Sequence, residues 1–101
     1  IHPALAPIKV TILPLIKKVH SDRAMDLYGD LAKYFMCSMD TSGSIGKRYR
    51  RSDAVGTPLC ITVDDETINN DTVTIRNRDT MEQITLPISE LKSYIEEVIK
   101  F

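Results

Sequence analysis

The densest chemistry in this sequence is a short run of cations. Four of the thirteen basic residues, Lys47, Arg48, Arg50 and Arg51, stand within five positions, with Tyr49 among them. On a helix, which turns about 100° per residue, these cations spread over about 160° and point outward, while Tyr49 faces the opposite side. Their mutual repulsion is not relieved by acidic residues at i+4 spacing, since only Asp53 lies nearby. The run therefore predicts a site for an anionic partner.

A solvated charged face is the alternative interpretation of this run, because helices commonly carry Lys and Arg on the side that meets water. Two features favour a binding site. Three of the four cations are Arg, whose planar guanidinium makes paired hydrogen bonds to phosphates and base edges. In addition, Arg76 and Arg78 form a second cationic site on one face of a predicted strand. We expect the two sites to frame one surface.

Other residues with reactive side chains lack partners at useful spacings. Ser42-Gly43-Ser44 is without the spaced glycines of a phosphate-binding loop, so an ordinary turn is expected. His2 and His20 have no Cys, Ser or metal ligand nearby in sequence and are expected at the surface. Asp64-Asp65-Glu66 lacks the alternating ligands of a calcium loop. No enzyme active site is evident in the sequence.

Cys37 and Cys60 match neither a zinc-ligand spacing nor the cysteine density of a disulfide scaffold. Reduced, buried thiols in a cytoplasmic protein are expected. The chain begins at Ile1 without the charged and apolar segments of a secretory signal, so we expect part of a longer protein.

Composition limits the classes of protein that remain. The chain has 101 residues, of which 43% are hydrophobic and 27% charged, as in one small domain. Its apolar runs are far shorter than the ~20 residues of a membrane span, which excludes a transmembrane role. The net charge of -1 argues against a protein that coats nucleic acid indiscriminately. Any contact with a polyanion must be local.

Hydrophobic periodicity predicts the elements that position these side chains. The expected strands are Ile8–Leu13, Met36–Asp40, Leu59–Val63, Thr72–Arg78 and Gln83–Leu86. The expected helices start at Ser21, at Ser44 and at Ser89, and Asp64–Asp71 is expected to be a loop. The first helix carries an apolar stripe that includes Ala24 and Leu31, the last helix carries one that includes Leu91 and Ile95, and Gly56 is available as the left-handed cap of the second. Alternation places Leu59, Ile61 and Val63 on one face of the third strand, and Val73 and Ile75 on one face of the fourth. Helical connections make the first three strands parallel, and the tight turn at Asp79 makes the last two antiparallel. The predicted fold class is α/β, with a mixed five-stranded sheet (three parallel strands plus an antiparallel hairpin) and three helices.

Most of the chain closely resembles the C-terminal anticodon-binding domain of glycyl-tRNA synthetase, a class II aminoacyl-tRNA synthetase. The segments that carry the resemblance are Gly43–Asp53, Gly56–Pro58 and Thr74–Gln83, and Leu5–Leu15 is similar to the opening strand of the family. The run Asp79–Gln83 favours the glycyl family over its histidyl, threonyl and prolyl relatives. Lys47 stands where the family often has Arg, and Ala54 where Glu is common.

The resemblance implies a module of an enzyme that activates glycine with ATP and Mg²⁺ and esterifies it to tRNA. Such an enzyme is expected to be a cytoplasmic homodimer, with this module beside the catalytic domain of the same chain. None of the class II catalytic motifs occurs in these residues. The chain itself is therefore expected to bind tRNA, to catalyse nothing and to need no cofactor.

The family likeness implies which residues contact RNA. Sequence-specific readers act on unpaired loops, and the cytosines of glycine anticodons call for a carboxylate or carbonyl beside an Arg. The expected base-reading residues are Arg76, Arg78, Asp79, Glu82 and Asp53, and the expected phosphate-binding residues are Lys47, Arg48, Arg50 and Arg51.

Two other hypotheses remain open. A non-catalytic accessory protein with the same fold would bind another nucleic acid, or a protein, through this surface. A small doubly wound nucleotide-binding enzyme would need a glycine-rich turn after its first strand, where Pro14–Val19 contains no glycine. The second hypothesis is the weaker.

Overall fold

The computed structural model describes residues 2–100. Within them, the strands are β1 (Val10–Pro14), β2 (Cys37–Met39), β3 (Leu59–Val63), β4 (Thr72–Asn77) and β5 (Gln83–Pro87). The α-helices are α1 (Lys17–Leu31), α2 (Ile45–Ala54), α3 (Asp65–Asn70) and α4 (Leu91–Ile99). Two short 3-10 turns, Pro3–Leu5 and Ile88–Glu90, precede β1 and α4.

The strands form one sheet in the order β2-β1-β3-β4-β5. β1 is parallel to both of its neighbours, so that Val10 lies opposite Cys37 on one side and Leu59 on the other. β4 is antiparallel to β3, and β5 is antiparallel to β4. The predicted mixed sheet of three parallel strands and an antiparallel hairpin is confirmed.

One face of the sheet carries the hydrophobic core. Strand side chains alternate between the two faces, and on this face they are β-branched or leucine. The buried cluster comprises Val10, Ile12, Leu59, Ile61, Val63, Val73 and Ile75 from the strands, Ala24, Leu27 and Leu31 from α1, and Leu91 and Ile95 from α4. The helical stripe predicted around Ala24 and Leu31 therefore packs on the sheet as expected.

The opposite face carries α2. The hydroxyl groups of Tyr49 and Thr62 lie 2.7 Å apart, and Cys60 Sγ donates to Ser52 Oγ at 3.1 Å. These contacts join the helix to β3 through the strand positions that alternate with the core. The candidate residues of α2 therefore lie on the side of the sheet opposite the core.

Helix α1 begins at Lys17, one turn before the predicted start at Ser21. The reason is His20, whose Nδ1 accepts the Ile16 N–H at 3.0 Å and so satisfies an amide that the helix leaves without a partner. Because Nδ1 accepts, Nε2 carries the ring hydrogen and donates to Asp65 Oδ1 at 2.7 Å. His20 is only 1% exposed, so the expectation of a surface position is wrong.

The predicted loop Asp64–Asp71 contains the helix α3. Asp64 Oδ1 accepts the N–H groups of Glu66 and Thr67, and Thr67 Oγ1 accepts the Asp64 N–H at 3.0 Å. This reciprocal pair is a capping box, which starts a helix. Asp71 ends it in the left-handed region, with φ 54°. The described residues therefore contain four α-helices where three were predicted.

Candidate nucleic-acid interface

The cationic run lies on α2, and both ends of this helix are capped. Ser44 Oγ accepts the Lys47 N–H at 3.3 Å at the start. At the end, Gly56 has φ 79° and its N–H donates to Asp53 O at 3.1 Å. The left-handed conformation suits glycine, as the sequence predicted. The helix is therefore a defined scaffold for its cations.

Arg48 does not point outward, so the predicted orientation of its side chain is wrong. Its side chain is buried, and its guanidinium donates to Pro14 O at 2.5 Å, to Leu15 O at 3.3 Å and to Asp40 O at 3.4 Å. Pro14 and Leu15 lie where β1 ends, and buried carbonyls there need donors. On α2, Arg48 precedes the buried Ser52 by one turn, which places it at the border of the inward face.

Arg51 is exposed but occupied. Its Nε donates to Asp40 Oδ2 and its Nη2 to Asp40 Oδ1, each at 2.9 Å, and Nη2 also donates to Ser42 O. Hydrogen bonding from Arg51 lowers the pKa of the Asp40 carboxyl, and the same bond raises the pKa of Arg51. An RNA phosphate that takes Arg51 must therefore compete with a carboxylate.

Lys47 and Arg50 are the free cations of the run. Both are exposed, and neither side chain has an ion-pair or hydrogen-bond partner among residues 2–100. An unpaired exposed cation keeps its whole charge available to a polyanion. Of the four predicted phosphate-binding residues, these two are the most accessible to phosphate.

The second cationic site forms where β4 meets α2. Arg76 Nη1 and Nη2 donate to the two carboxylate oxygens of Asp53 at 2.9 and 3.1 Å, and the guanidinium lies 5.3 Å from the centre of the Tyr49 ring. Met81 Sδ lies 3.4 Å from Nη2. Hydrogen bonding from Asp53 raises the pKa of Arg76. Arg76 is 14% exposed and held in one orientation.

The side chain of Arg78 binds the main chain of the same helix. Its Nε donates to Asp53 O at 3.0 Å, and its Nη1 donates to Asp79 Oδ1 at 3.3 Å. Within the described part of the chain, Nη2 has no protein partner. The side chain is 33% exposed, so that its free amino group is available to a ligand.

The turn between β4 and β5 positions the two acidic residues of the hairpin. Asn77 Oδ1 accepts the N–H groups of Asp79 and Thr80 at 2.9 and 3.1 Å, and Met81 adopts φ 64°. Glu82 follows, exposed, and its carboxylate has no partner within residues 2–100. The turn therefore places the Asp79 carboxylate against Arg78, whereas Glu82 lies opposite Asn77 and has no contact with Arg78 among the described residues.

The structure brings the two predicted groups together through Asp53. Asp53 lies on α2 and contacts both hairpin arginines, and Arg50 precedes it by one helical turn on the same flank. Arg48 and Arg51 lie on the other flank, where both contact Asp40. Sequence reasoning missed the roles of Tyr49, Met81 and Asp40 in holding these arginines. The only available signal was the spacing of Tyr49 four residues before Asp53, which places both on one side of a helix.

Residues 2–100 contain neither a metal-binding cluster nor a membrane-spanning helix. No group of three or more His, Cys, Asp and Glu side chains within residues 2–100 is arranged to hold a metal ion. Over the same range, no helix has the length and apolar character that crossing a bilayer requires.

Comparison with known proteins identifies close relatives. The chain is 59% identical over 100 residues to a glycine–tRNA ligase of Clostridium kluyveri, an alignment that covers 99% of this chain and 21% of the ligase. It is 56% identical over 101 residues to a glycine–tRNA ligase of Geobacillus kaustophilus, covering 100% of this chain and 22% of the ligase. The chain thus spans about a fifth of the length of these curated relatives.

Solved structures share the fold. The RNA binding domain of a threonyl-tRNA synthetase from Cryptosporidium parvum superposes with a TM-score of 0.87 at 23% identity, covering 97% of this chain and 25% of that one. A prolyl-tRNA synthetase from the same organism, complexed with L-proline and AMP, superposes with a TM-score of 0.84 at 28% identity. This match covers 96% of this chain and 22% of the synthetase. The family model described as Anticodon binding domain matches residues 9–98. The chain has the predicted sheet and the cationic helix. Because the family model also matches most of its length, the chain belongs to the anticodon binding domain family.

Proposed function

We propose that this chain is the anticodon-recognition module of a glycine–tRNA ligase and binds the anticodon loop of tRNA(Gly). The observation that carries the proposal is the meeting of α2 and the β4–β5 hairpin at Asp53. It sets free cations beside an Arg with neighbouring carboxylates, which is what a looped-out RNA requires. The identity to glycine–tRNA ligases supports glycine as the cognate amino acid.

The hairpin is the proposed base-reading group. A cytosine edge offers an amino donor beside acceptors, so it matches a carboxylate next to a guanidinium. Arg78 has a free Nη2 and binds Asp79 through Nη1, and Glu82 is an exposed acceptor at the other end of the same turn. Arg76 and Asp53 also belong to the proposed base-reading group, as an ion pair. The Arg76 side chain is 14% exposed and the Asp53 side chain 33%.

The helix is the proposed phosphate-binding group. Lys47 and Arg50 contact the backbone directly, because nothing in the described chain occupies them. Arg51 stays outside this group, because its guanidinium remains bound to the Asp40 carboxylate. Arg48 is not part of the proposed phosphate-binding group, because its guanidinium is buried against main-chain carbonyls and holds α2 in place.

The remainder of the proposed ligase supplies the chemistry. On this proposal a catalytic domain of the same polypeptide uses ATP and Mg²⁺ to activate glycine, and the whole enzyme is a cytoplasmic homodimer. This module selects the tRNA by its anticodon and contributes no catalytic residue.

A titration with anticodon stem-loops tests base reading directly. Replacing either anticodon cytosine should weaken binding by roughly 1–3 kcal/mol, since a lost base-edge contact leaves polar groups unpaired. A stem-loop with one exchanged stem pair is the control and should bind as before. Indifference to both cytosines would remove base reading from this domain.

Alanine variants test the division between helix and hairpin. Arg50→Ala should weaken binding about equally for all tRNAs and reduce the slope of log K against log salt by roughly one unit per lost phosphate contact. Arg78→Ala should instead cost roughly 1–3 kcal/mol for the glycine anticodon and reduce discrimination against others. Arg23→Ala, on α1, is the matched control for a lost surface arginine. Equal loss of selectivity from both variants would refute the division.

A further inference from the structure

A recess lies on the flank of α2 that faces away from the hairpin. Its volume is about 220 Å³. One wall is α2, with Arg51, Ser52 and Val55, and the floor is formed by Thr11 of β1 and Ser38 of β2. The base-reading hairpin contributes no residue to it. The recess is therefore separate from the proposed base-reading surface.

The floor of the recess is polar and adaptable. The hydroxyl groups of Thr11 and Ser38 lie 2.8 Å apart, so one donates to the other and the second keeps its hydrogen for a ligand. Ser52 Oγ accepts from Cys60 Sγ and likewise keeps its own hydrogen. Both kinds of hydroxyl also accept hydrogen bonds. A ligand in this recess therefore meets donors and acceptors at close quarters.

The charges at the rim cancel. Asp40 and Arg51 both line the recess and bind each other through two hydrogen bonds of 2.9 Å. A phosphate would meet the carboxylate as well as the guanidinium, so the site has no net attraction for an anion. Val55, 67% exposed, adds an apolar surface beside them. A purely apolar ligand would leave the floor hydroxyls without partners, which is costly.

We propose that this recess holds one unstacked nucleobase of the bound RNA, distinct from the bases that the hairpin reads. A base is neutral, has apolar faces and carries both donors and acceptors along its edge, which matches the wall and the floor together. A helix is about 10–12 Å across, so a splayed loop that lies over α2 reaches both flanks. The inference rests on the proposed function and extends it from one side of α2 to both.

A pair of charge variants tests the recess. Val55→Glu places a carboxylate at its mouth, and Ala54→Glu adds the same charge to the next residue, which does not line it. Both positions are exposed, so both variants should keep the fold, which thermal unfolding checks. Each protein is titrated with anticodon stem-loops in which every loop nucleotide in turn is made abasic.

The expected result is one loop position, other than the two cytosines, at which base removal weakens binding. The loss should be about fivefold or more for the unmodified chain and for Ala54→Glu, and absent for Val55→Glu. The uncharged pair Val55→Gln and Ala54→Gln should give the same contrast in weaker form. This pair separates blocking of the recess from general repulsion of RNA.

Three results would overturn the inference. One is a Val55→Glu profile that matches the Ala54→Glu profile at every loop position. The second is inorganic phosphate shifting the amide resonances of Thr11 and Ser38, since this would assign the recess to an anion. The third is an unmodified chain that ignores both cytosines, which overturns the proposed function and this extension with it. The first two leave the proposed function intact.

Discussion

Arg48 illustrates at the scale of one residue how a cation in a basic run serves the fold. Its guanidinium contacts three main-chain carbonyls near the end of β1, and its Nε is buried without a partner among the described residues. A planar fork with five donors suits several carbonyls at once, and the ammonium of lysine does not. Arg48 therefore joins α2 to the sheet.

Removing Arg48 should destabilise the chain. Arg48→Ala leaves the buried Pro14 O without this donor, removes the bond to Leu15 O and opens a cavity, so the free energy of unfolding should fall by about 2–4 kcal/mol. Urea unfolding followed by circular dichroism measures the loss. Arg50→Ala, exposed on the same helix, should stay within about 0.5 kcal/mol of the unmodified chain. Equal stability of the two variants would contradict the buried role of Arg48.

Asp40 gives stability a defined dependence on pH. Its folded pKa is lowered by the hydrogen bond from Arg51, so the contribution is present above the unfolded value of about 3.9 and disappears as pH falls through the folded value. Arg51→Ala should move the pKa of Asp40 upward, which the carboxyl carbon chemical shift reports during an NMR titration. It should also flatten the acid limb of the stability curve below about pH 4. An unchanged Asp40 titration in Arg51→Ala would refute this pairing.

Sequence reasoning predicted individual residue types better than it predicted their surroundings. The Arg and carboxylate content of the hairpin was expected, because β-strand alternation and a turn signal bring Arg76, Arg78 and Asp79 into proximity. The burial of Arg48 was not predictable, because it depends on carbonyls of Pro14 and Leu15 that lie more than thirty positions away in sequence. Such a contact exists only once the sheet is assembled.

At the scale of elements, α3 shows how a side-chain cap overrides loop-like composition. Asp and Asn are frequent in turns, so Asp64–Asp71 was expected to be a loop. The helix forms because Asp64 and Thr67 cap each other and because Asp65 and Glu66 are favourable near its positive end. The signal was present in the spacing of Asp64 and Thr67, but Glu or Gln is the usual partner at the second position.

The cap of α3 should be measurable as a stability increment. Asp64→Ala removes the acceptor for the Glu66 and Thr67 amides, so the free energy of unfolding should fall by about 0.5–2 kcal/mol. Asp64→Asn keeps a capping oxygen and should restore most of the loss, as monitored by thermal unfolding. If Asp64→Asn were as unstable as Asp64→Ala, negative charge rather than the hydrogen bonds would account for the effect.

At the scale of the whole molecule, the reactivity of the two thiols measures how well the fold excludes solvent. Burial raises the pKa of Cys60 and raises the pKa of Cys37 to about 11. Cys60 is 2% exposed and lies between β3 and α2, whereas Cys37 is half-buried at the β2 side of the sheet. Both cysteines are free, and of the two thiols that were expected to be buried only Cys60 is fully so.

Thiol labelling should therefore be slow in the native state. At pH 8, a thiol with a pKa of about 11 is ionised to about one part in a thousand, and the thiolate is the reacting form. Both cysteines should react with an aromatic disulfide reagent far more slowly than in the urea-unfolded chain, and Cys60 more slowly than Cys37. Mass spectrometry of the labelled peptides separates the two rates. Rapid native labelling of Cys60 would show that α2 opens away from β3.

The architecture as a whole was predictable because it depends on periodicity, which is a local property of the chain. The alternation in β3 and β4 and the apolar stripes of α1 and α4 indicated which faces pack together, and the core cluster agrees with them. The shared surface formed by α2 and the hairpin depends on contacts between distant segments. The residue types of this surface were therefore predictable from the sequence, but the residue that each arginine binds was not.

The two faces of the sheet carry different sets of residues, so their sequences can diverge separately. Along β4, Val73 and Ile75 belong to the core, while Thr74 and Arg76 occupy the face that α2 flanks. Alternate positions of one strand are thus subject to independent selection. On the proposed function, substitutions at the positions that face α2 change which nucleotides the module prefers, while the core positions stay as they are. The threonyl and prolyl structures keep this fold at 23% and 28% identity.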